Sequence, residues 1–380
     1  MRLAVLSTNP GGVWPWGASE ELWAAAAAAA LEEGHQVGVW VAATAAAAAA
    51  VRGLAARGAE VHARRPRHMR LSNWIARVPA PDPRWASLFH FRPDVLLLSQ
   101  GATFDAGSYP EFLTLLRRLD AAPFPFGVVS HGGAELSLPA GDVRDRTRRL
   151  FSAARFTAFV SARSAALVER QLTMKLGSAV VVRNPLRFRP EEPLPWPSES
   201  PARFAVPTRL DAGVKGLDTL LETLAADVWR ERDWRLTLCG EGPDGSYLGE
   251  LAAFYGIAEK VAVEGHRDDV LDLWRAHHLF LLPSRTEAMP TSLVEAMICG
   301  RASVVADVGG VLEWVGDGES AFVAEGATVR SFGAALERAW SQRARWREMG
   351  ACAHARARAL VDPRAGESLL TLLKGIAAGR

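Results

Sequence analysis

What most limits the folds open to this chain is its repeated alternation of short apolar runs with longer helical stretches. The first run, Arg2-Leu-Ala-Val-Leu-Ser7, reads as a buried strand. A helical stretch from Ser19 to Glu33 follows it, Gly34 is placed to cap that helix, and Gln36 to Val41 reads as the next strand. Further strands are predicted at 94–99, 126–130, 157–161 and 179–182. Strands that are apolar along their whole length are covered on both faces, and strands separated by helices pair in parallel. The alanine run Ala42 to Ala50 is predicted to be helix, because alanine has the best intrinsic propensity.

Prolines then cluster at Pro185, Pro190, Pro193, Pro195, Pro197, Pro201 and Pro207, a composition that marks a semi-rigid linker. Alternation restarts beyond it, with strands predicted at 203–208, 235–239, 260–263, 279–282, 303–306 and 321–323. The expected fold class is α/β, with two Rossmann-like domains facing each other across a cleft. The predicted boundaries are a first domain at 1–185, a linker at 186–202 and a second domain at 203–362.

Composition closes off several function classes. A hydrophobic fraction of 49% with a net charge of +2 excludes a disordered chain and argues against a nucleic-acid binder. Cys239, Cys299 and Cys352 lie far apart, so neither a disulfide framework nor a zinc site is expected. The apolar start, Leu3 to Leu6, is too short for a signal-peptide core, and the longest uncharged stretch, Val37 to Val51, is too short to span a membrane. A soluble, cytoplasmic protein without a transmembrane segment is expected.

In open parallel sheets ligands sit beyond the carboxyl ends of the strands, so the loops there are the candidates for chemistry. Leu282-Pro-Ser-Arg-Thr-Glu-Ala-Met-Pro-Thr-Ser-Leu-Val-Glu-Ala-Met297 follows a buried strand and runs into a helix. Thr291 or Ser292 could cap that helix, whose free N–H groups would suit a diphosphate. Glu295 has two readings: it could accept from a ribose diol, or complete a capping box with Ser292. Glu287 sits in the loop without a comparable structural reason, which favours function there. In Thr208-Arg-Leu-Asp-Ala-Gly-Val-Lys-Gly216, both Arg209 and Lys215 could reach a phosphate. Only four of the 44 basic residues are lysines (Lys175, Lys215, Lys260, Lys374), so a lysine at 215 suggests a site that wants a compact ammonium, against the alternative of a solvated loop lysine. Gly240-Glu-Gly242-Pro is a glycine turn at another strand end.

In the first domain His131, in His131-Gly-Gly-Ala-Glu135, ends a strand and would face the cleft, although a lone histidine is more often a structural group. Pro10-Gly-Gly and Trp16-Gly-Ala-Ser-Glu20 open the first strand–helix connection without a dinucleotide fingerprint. The basic runs Arg64-Arg-Pro-Arg67 and Arg144-Asp-Arg-Thr-Arg-Arg149 could touch an anionic membrane or an acidic acceptor. Asp142 and Asp145 favour a solvated helix face for the second run.

Together these loops resemble the family 4 glycosyltransferases, retaining enzymes of GT-B fold. The resemblance rests on Arg209-Leu, Lys215-Gly, Gly240-Glu-Gly-Pro, Glu287-Ala-Met-Pro, Glu295-Ala-Met and Gly309-Gly with Glu313, in family order. Pro15-Trp-Gly-Ala-Ser-Glu-Glu-Leu-Trp23 and Gly34-His-Gln-Val37 resemble the family's glycine loop and first helix. The resemblance implies that Arg209 and Lys215 bind the donor diphosphate, Glu295 the ribose, and Glu287 the sugar hydroxyls. It places the backbone of Ala288, Met289, Pro290 and Thr291, with Ser292, around the sugar or phosphate, and Gly17 and Gly240 by the donor. His266 and Arg267 would flank the nucleobase, and His131 the reacting face of the sugar. The catalytic set is then His131, Glu287, Arg209 and Lys215, with no metal and no cofactor beyond the sugar nucleotide as co-substrate.

The resemblance also implies that a C-terminal helix, 363–380, completes the first domain. Thr208, Ala288 and Ala18 stand where the family commonly has glycine, which narrows the donor pocket. The acceptor is open. Trp14, Trp16, Trp74 and Trp85 suggest a partly apolar or stackable one, and peripheral membrane contact is compatible with it. The alternatives are a sugar-nucleotide epimerase of the same fold or a catalytically silent sugar-nucleotide-binding protein. A nicotinamide dehydrogenase lacks its glycine fingerprint, and a phosphorylase lacks a well-placed lysine for pyridoxal.

Overall fold

The computed structural model describes residues 1–11, 16–64, 85–198, 200–267 and 269–379. The chain forms two compact units, Met1–Pro185 with Asp362–Arg380, and Leu186–Val361.

The first unit is built on β1 (Arg2–Ser7), β2 (Gln36–Ala42), β3 (Glu60–Arg64), β4 (Val95–Gln100), β5 (Phe126–Ser130), β6 (Phe156–Phe159) and β7 (Ala179–Val181). They form one parallel sheet in the order β3-β2-β1-β4-β5-β6-β7. Leu3, Ala4, Val5 and Leu6 of β1 are fully buried, as an unbroken apolar run requires when helices cover both faces. β1 pairs Leu3 with Val37 on one side and with Val95 on the other, so the strand order reverses there. The helix Ala18–Glu32 buries Leu22, Trp23 and a row of alanines, and the C-terminal helix Ala365–Ala378 packs along it. Lys374 ties that helix back to Glu33 at 2.7 Å.

The second unit carries β8 (Ala202–Pro207), β9 (Trp234–Cys239), β10 (Val261–Glu264), β11 (Leu279–Leu282), β12 (Ala302–Ala306) and β13 (Ala321–Ala324), parallel in the order β10-β9-β8-β11-β12-β13. Phe204 of β8 faces Leu236 of β9 and Leu279 of β11, which sets a second reversal between β8 and β11. The proline-rich stretch is fastened to this unit: Arg301, fully buried, donates to the carbonyls of Leu194 at 3.2 Å and Pro195 at 2.7 Å.

Two local expectations fail. The alanine run is not one helix but two short ones, Ala43–Ala46 and Ala49–Ala56, separated at Ala48, whose backbone is extended (ψ 145°). Propensity favours helix at every position but does not say where the chain must turn to pack, and here packing sets the break. The strand β3 was not anticipated. An edge strand exposed at Glu60 and Ala63 carries too little apolar signal.

Candidate functional site

The loops at the carboxyl ends of β8 and β11 meet at the reversal point of the second sheet. After β8, Asp211 caps the one-turn helix Ala212–Lys215 by accepting from Val214 N–H at 3.1 Å, and its other oxygen takes Arg209 Nη2 at 2.9 Å. Arg209 itself is exposed. Lys215, at the end of that turn, donates to Glu287 Oε1 at 2.6 Å, and Ser284 Oγ donates to the same oxygen at 2.8 Å. Glu287 is therefore not a solvated loop carboxylate: it is buried, and it has structural partners the sequence did not reveal. Its hydrogen bonds all fall on Oε1, which leaves Oε2 for a ligand hydroxyl.

The two loops are held in register by Arg285, which sequence reasoning passed over although it lies in the same motif. Its backbone N–H reaches Val214 O at 2.9 Å, and its guanidinium forks onto both oxygens of Asp218 at 2.7 and 2.8 Å. Burial alone would raise the Asp218 carboxyl. The Arg285 bonds and the Thr219 N–H outweigh it and hold the carboxyl below the ordinary aspartate value.

Neighbouring glycines let other loops close on this one. Gly240 adopts φ +149°, and a Cβ there would lie 2.0 Å from Thr208 O. Gly309 adopts φ +50° and a Cβ there would lie 2.1 Å from Glu287 O, while Gly310 N–H donates to Ala288 O at 2.8 Å. Each fixes the backbone beside a candidate site residue in a conformation only glycine adopts readily.

The helix Thr291–Ile298 opens at Pro290 with no side-chain cap. Neither Thr291 nor Ser292 caps it, and of the two readings of Glu295 the capping box with Ser292 does not form, because Ser292 already lies inside the first turn. Thr291 Oγ1 is buried without a hydrogen-bond partner, beside the uncapped N–H groups. Met289 and Pro290 are buried, while Ala288, Ser292 and Glu295 are half-buried. His266 and Arg267 are exposed just beyond β10, where Arg267 Nε donates to Glu264 at 2.7 Å and Gly240 N–H to Glu264 O at 3.2 Å.

In the first unit His131 follows β5. Its backbone N–H donates to Gln100 O at 3.0 Å, and its imidazole Nε2 meets Asn184 Oδ1 at 3.1 Å. Burial pushes the imidazole down to about 4, so it is neutral near pH 7. Its Nδ1 is buried without a hydrogen-bond partner. Gly17 is exposed at the start of the helix Ala18–Glu32.

Two buried carboxylates at the end of β1 carried no local sequence signal. Ser7 Oγ and Ser19 Oγ donate to Glu20 at 3.2 and 2.6 Å, and Thr8 Oγ1 and Ala102 N–H donate to Asp105 Oδ2 at 3.0 and 2.9 Å. Burial raises both, Asp105 to about 6.

The remaining candidates divide into buried or hydrogen-bonded residues, residues of a paired helix face and residues outside the described ones. Trp85 is a core residue with no exposed surface, bonded to Thr114, and so cannot greet an acceptor. Trp16 is bonded to Glu21 at 2.9 Å, and Trp14 and Trp74 lie outside the described residues. Arg64 is buried against Glu111 at 2.9 Å and the Ser7 carbonyl at 2.6 Å, so it is not a surface cation, and Arg65 and Arg67 also lie outside the described residues. The run 144–149 lies on the helix Gly141–Ala153, with Arg146 paired to Asp142 at 2.8 Å and Arg148 to Asp145 at 3.3 Å. Among the described residues no group of three or more His, Cys, Asp or Glu is placed to hold a metal, and no helix is long and apolar enough to cross a membrane.

Comparison with known proteins bears on the second unit most directly. Residues 202–342 match the family model for glycosyl transferases group 1. The chain is 34% identical over 101 residues to the phosphatidylinositol N-acetylglucosaminyltransferase gpi3 subunit of Schizosaccharomyces pombe, covering 26% of this chain and 22% of that protein. It is 32% identical over 133 residues to the D-inositol 3-phosphate glycosyltransferase of Rhodococcus jostii, covering 33% and 29%. Each match thus spans less than a third of the relative's length. The fold is that of Anabaena Alr3699/HepE, solved in complex with UDP-glucose: TM-score 0.75 at 18% identity, covering 99% of both chains. The family match thus falls on the second unit, and the likeness to the solved structure shows a fold of two parallel-sheet α/β domains of the GT-B type.

Proposed function

We propose that this chain is a retaining glycosyltransferase that moves a hexosyl group from a nucleoside-diphosphate-sugar to a small-molecule, lipid or glycan acceptor, without a metal. The observation that carries the proposal is the arrangement at the β8/β11 reversal. There the Lys215 ammonium and the Glu287 carboxylate sit on adjoining loops, with the orphaned Thr291 hydroxyl beside an uncapped helix start. A buried hydroxyl without a partner next to free N–H groups suits an anion's oxygen. The group 1 match over the same residues, and the UDP-glucose held by the structurally similar Anabaena protein, support a sugar-nucleotide donor.

The chemistry follows from where charge develops. When the bond between the anomeric carbon and the diphosphate oxygen breaks, negative charge grows on phosphate and positive charge on the sugar. A fixed ammonium and helix-end N–H groups stabilise the first without reorganising, often the largest single catalytic contribution. Lys215 has three N–H donors and gives one to Glu287, so it can keep that partner and still meet a phosphate oxygen. Exposed Arg209 supplies a second cation, Glu287 Oε2 accepts from a sugar hydroxyl, and half-buried Glu295 takes the ribose diol. The acceptor oxygen then bonds to the same face of the sugar, and its proton leaves with the departing phosphate.

The test pairs binding with turnover. A nucleoside diphosphate or its sugar conjugate, present at a hundred times its dissociation constant, stabilises the protein by about 2.7 kcal/mol, read as a rise in melting temperature. Incubation of the matching donor with candidate acceptors should give a glycosylated product by mass spectrometry. Failure of every nucleoside diphosphate and sugar nucleotide to bind would reject the reading. So would conversion of the sugar nucleotide to its epimer without any acceptor.

A further inference from the structure

A groove of about 760 Å³ opens at the amino-terminal ends of β8, β9 and β11, the end of the second sheet away from Lys215 and Glu287. Ala202 begins β8, Asp233 precedes β9 and His278 precedes β11, and all three line it. Its volume lies within the range of sites that hold small ligands. Nothing in the transfer reaction uses it.

We propose that this groove binds an oligosaccharide bearing carboxylate groups. The first ground is Trp196. Its ring lies over the Arg301 guanidinium, 5.3 Å from the centroid, and meets His278 edge-on at 5.4 Å and 74°. Arg301 has no exposed surface and backs the indole from the protein side, while Trp196 itself is half-buried and lines the groove. The same guanidinium bonds the carbonyls of Leu194 and Pro195 just before the tryptophan, fixing the backbone that carries it. The result is an indole held rigid from beneath, the kind of surface on which the C–H face of a pyranose stacks at little entropic cost.

The second ground is charge. Arg343 and Arg347 line the groove and are exposed. Arg343 donates to the Trp340 carbonyl at 3.2 Å and lies over the Trp340 ring at 5.2 Å, without a carboxylate partner, and Arg347 has no hydrogen-bond or ion-pair partner among the described residues. The acidic side is already engaged: Asp233 accepts from Ser200 Oγ at 2.6 Å and lies 3.9 Å from Arg235. Two guanidiniums without a carboxylate partner, beside one committed carboxylate, favour an anionic guest, and a planar fork pairs most strongly with a carboxylate. A neutral sugar would use the indole and leave the arginines idle. Because the groove and the donor loops lie at opposite ends of the same strands, both can be occupied together. Such a second point of attachment would hold an acidic glycan near the enzyme between transfers.

Calorimetry and tryptophan fluorescence on the full chain test this with an alternating glucuronate and N-acetylglucosamine hexasaccharide, with maltohexaose as the neutral control. Saturable binding of the acidic chain, unchanged by saturating UDP, is expected. Trp196→Ala and Arg347→Glu should each weaken it by about tenfold or more, and maltohexaose should bind at least that much more weakly, the scale of one charge-assisted contact. Arg347 lies at the surface, so its variant tests the groove even where Trp196→Ala disturbs packing on Arg301. Absence of saturable binding, competition by UDP, wild-type affinity in Arg347→Glu, or displacement by equimolar inorganic phosphate would each overturn the assignment.

Discussion

The pairing of Lys215 with Glu287 changes what removal of the lysine should do. From sequence alone, Lys215→Ala would be expected to lose turnover and fold normally. In the structure the ammonium sits 2.6 Å from a carboxylate, and the two side chains retain only 17% and 9% of their exposure. Breaking a fully buried pair costs about 3–5 kcal/mol, because the abandoned charge keeps its desolvation penalty. With some water access remaining here, about 2–3 kcal/mol is the reasonable figure. In a unit of this size that lowers the melting temperature by roughly 5–10 °C. The double variant Lys215→Met/Glu287→Gln leaves no unpaired charge, and Ser284 can still donate to the amide oxygen, so most of that stability should return. Activity should not return: with the fixed cation gone, turnover falls by about 10²–10³ in both variants. Thermal melting with and without donor, alongside kcat, separates the two effects. Wild-type melting in Lys215→Ala would refute the structural half of the argument, and recovery of turnover in the double variant would refute the catalytic half.

Asp105 gives the first unit a pH dependence that can be signed. Its carboxyl rises from 3.8 to about 6 on folding, chiefly through burial, so the folded state binds the extra proton and stability falls as pH rises from about 4 to 6. At about 1.4 kcal/mol per unit the loss approaches 3 kcal/mol. Asp105→Asn keeps an oxygen for Thr8 and Ala102 and should flatten that part of the profile; a stability profile between pH 4 and 7 that matches wild type would contradict it. On the proposed reading Arg285 acts as a positioning residue. Its ion pair with Asp218 is about one-third exposed, so Arg285→Lys should cost under about 1 kcal/mol of stability. It should nevertheless lower kcat by about tenfold with KM little changed, since Lys215 loses its brace. Asp218→Asn should reproduce that split, and the two changes together should add little beyond either one.

The central strands were legible because burial on both faces forces an unbroken apolar run, as in Leu3 to Leu6 and Leu279 to Leu282. β3 was not, because an edge strand exposed at Glu60 and Ala63 needs no such run. The charged residues of the second unit stood out by type and spacing, but their partners did not. Lys215 and Glu287 are 72 residues apart, and only the parallel order that sets β8 beside β11 brings them together. Glu20 and Asp105 were invisible for the converse reason. A carboxylate satisfied by serine, threonine and backbone N–H groups leaves no pattern in sequence, since the partners come from the ends of β1 and β4 and from the helix after β1.

The scarcity of lysine looks different once each lysine has a place. Lys175 pairs with Glu169 at 2.7 Å, Lys374 with Glu33 at 2.7 Å, and Lys260 donates to the carbonyls of Arg230 and Arg232 at 2.6 and 2.8 Å. Three lysines thus do ordinary tethering, and rarity alone does not mark a site. What distinguishes Lys215 is the contrast with Arg285 two residues from its own partner. Arg285 spends a planar fork on a planar carboxylate, both oxygens at once, which is the geometry of a brace. Lys215 presents a small charge with three rotatable donors and commits one of them to Glu287. A guanidinium at 215 would turn its fork onto Glu287 and carry its charge farther from the helix start at Thr291. Lys215→Arg should therefore melt within about 2 °C of wild type, since the ion pair survives. It should still lose about tenfold or more in kcat, because the positive charge no longer lies where the leaving phosphate needs it. Wild-type turnover in Lys215→Arg would show that any cation serves, and would leave the lysine a matter of genome composition.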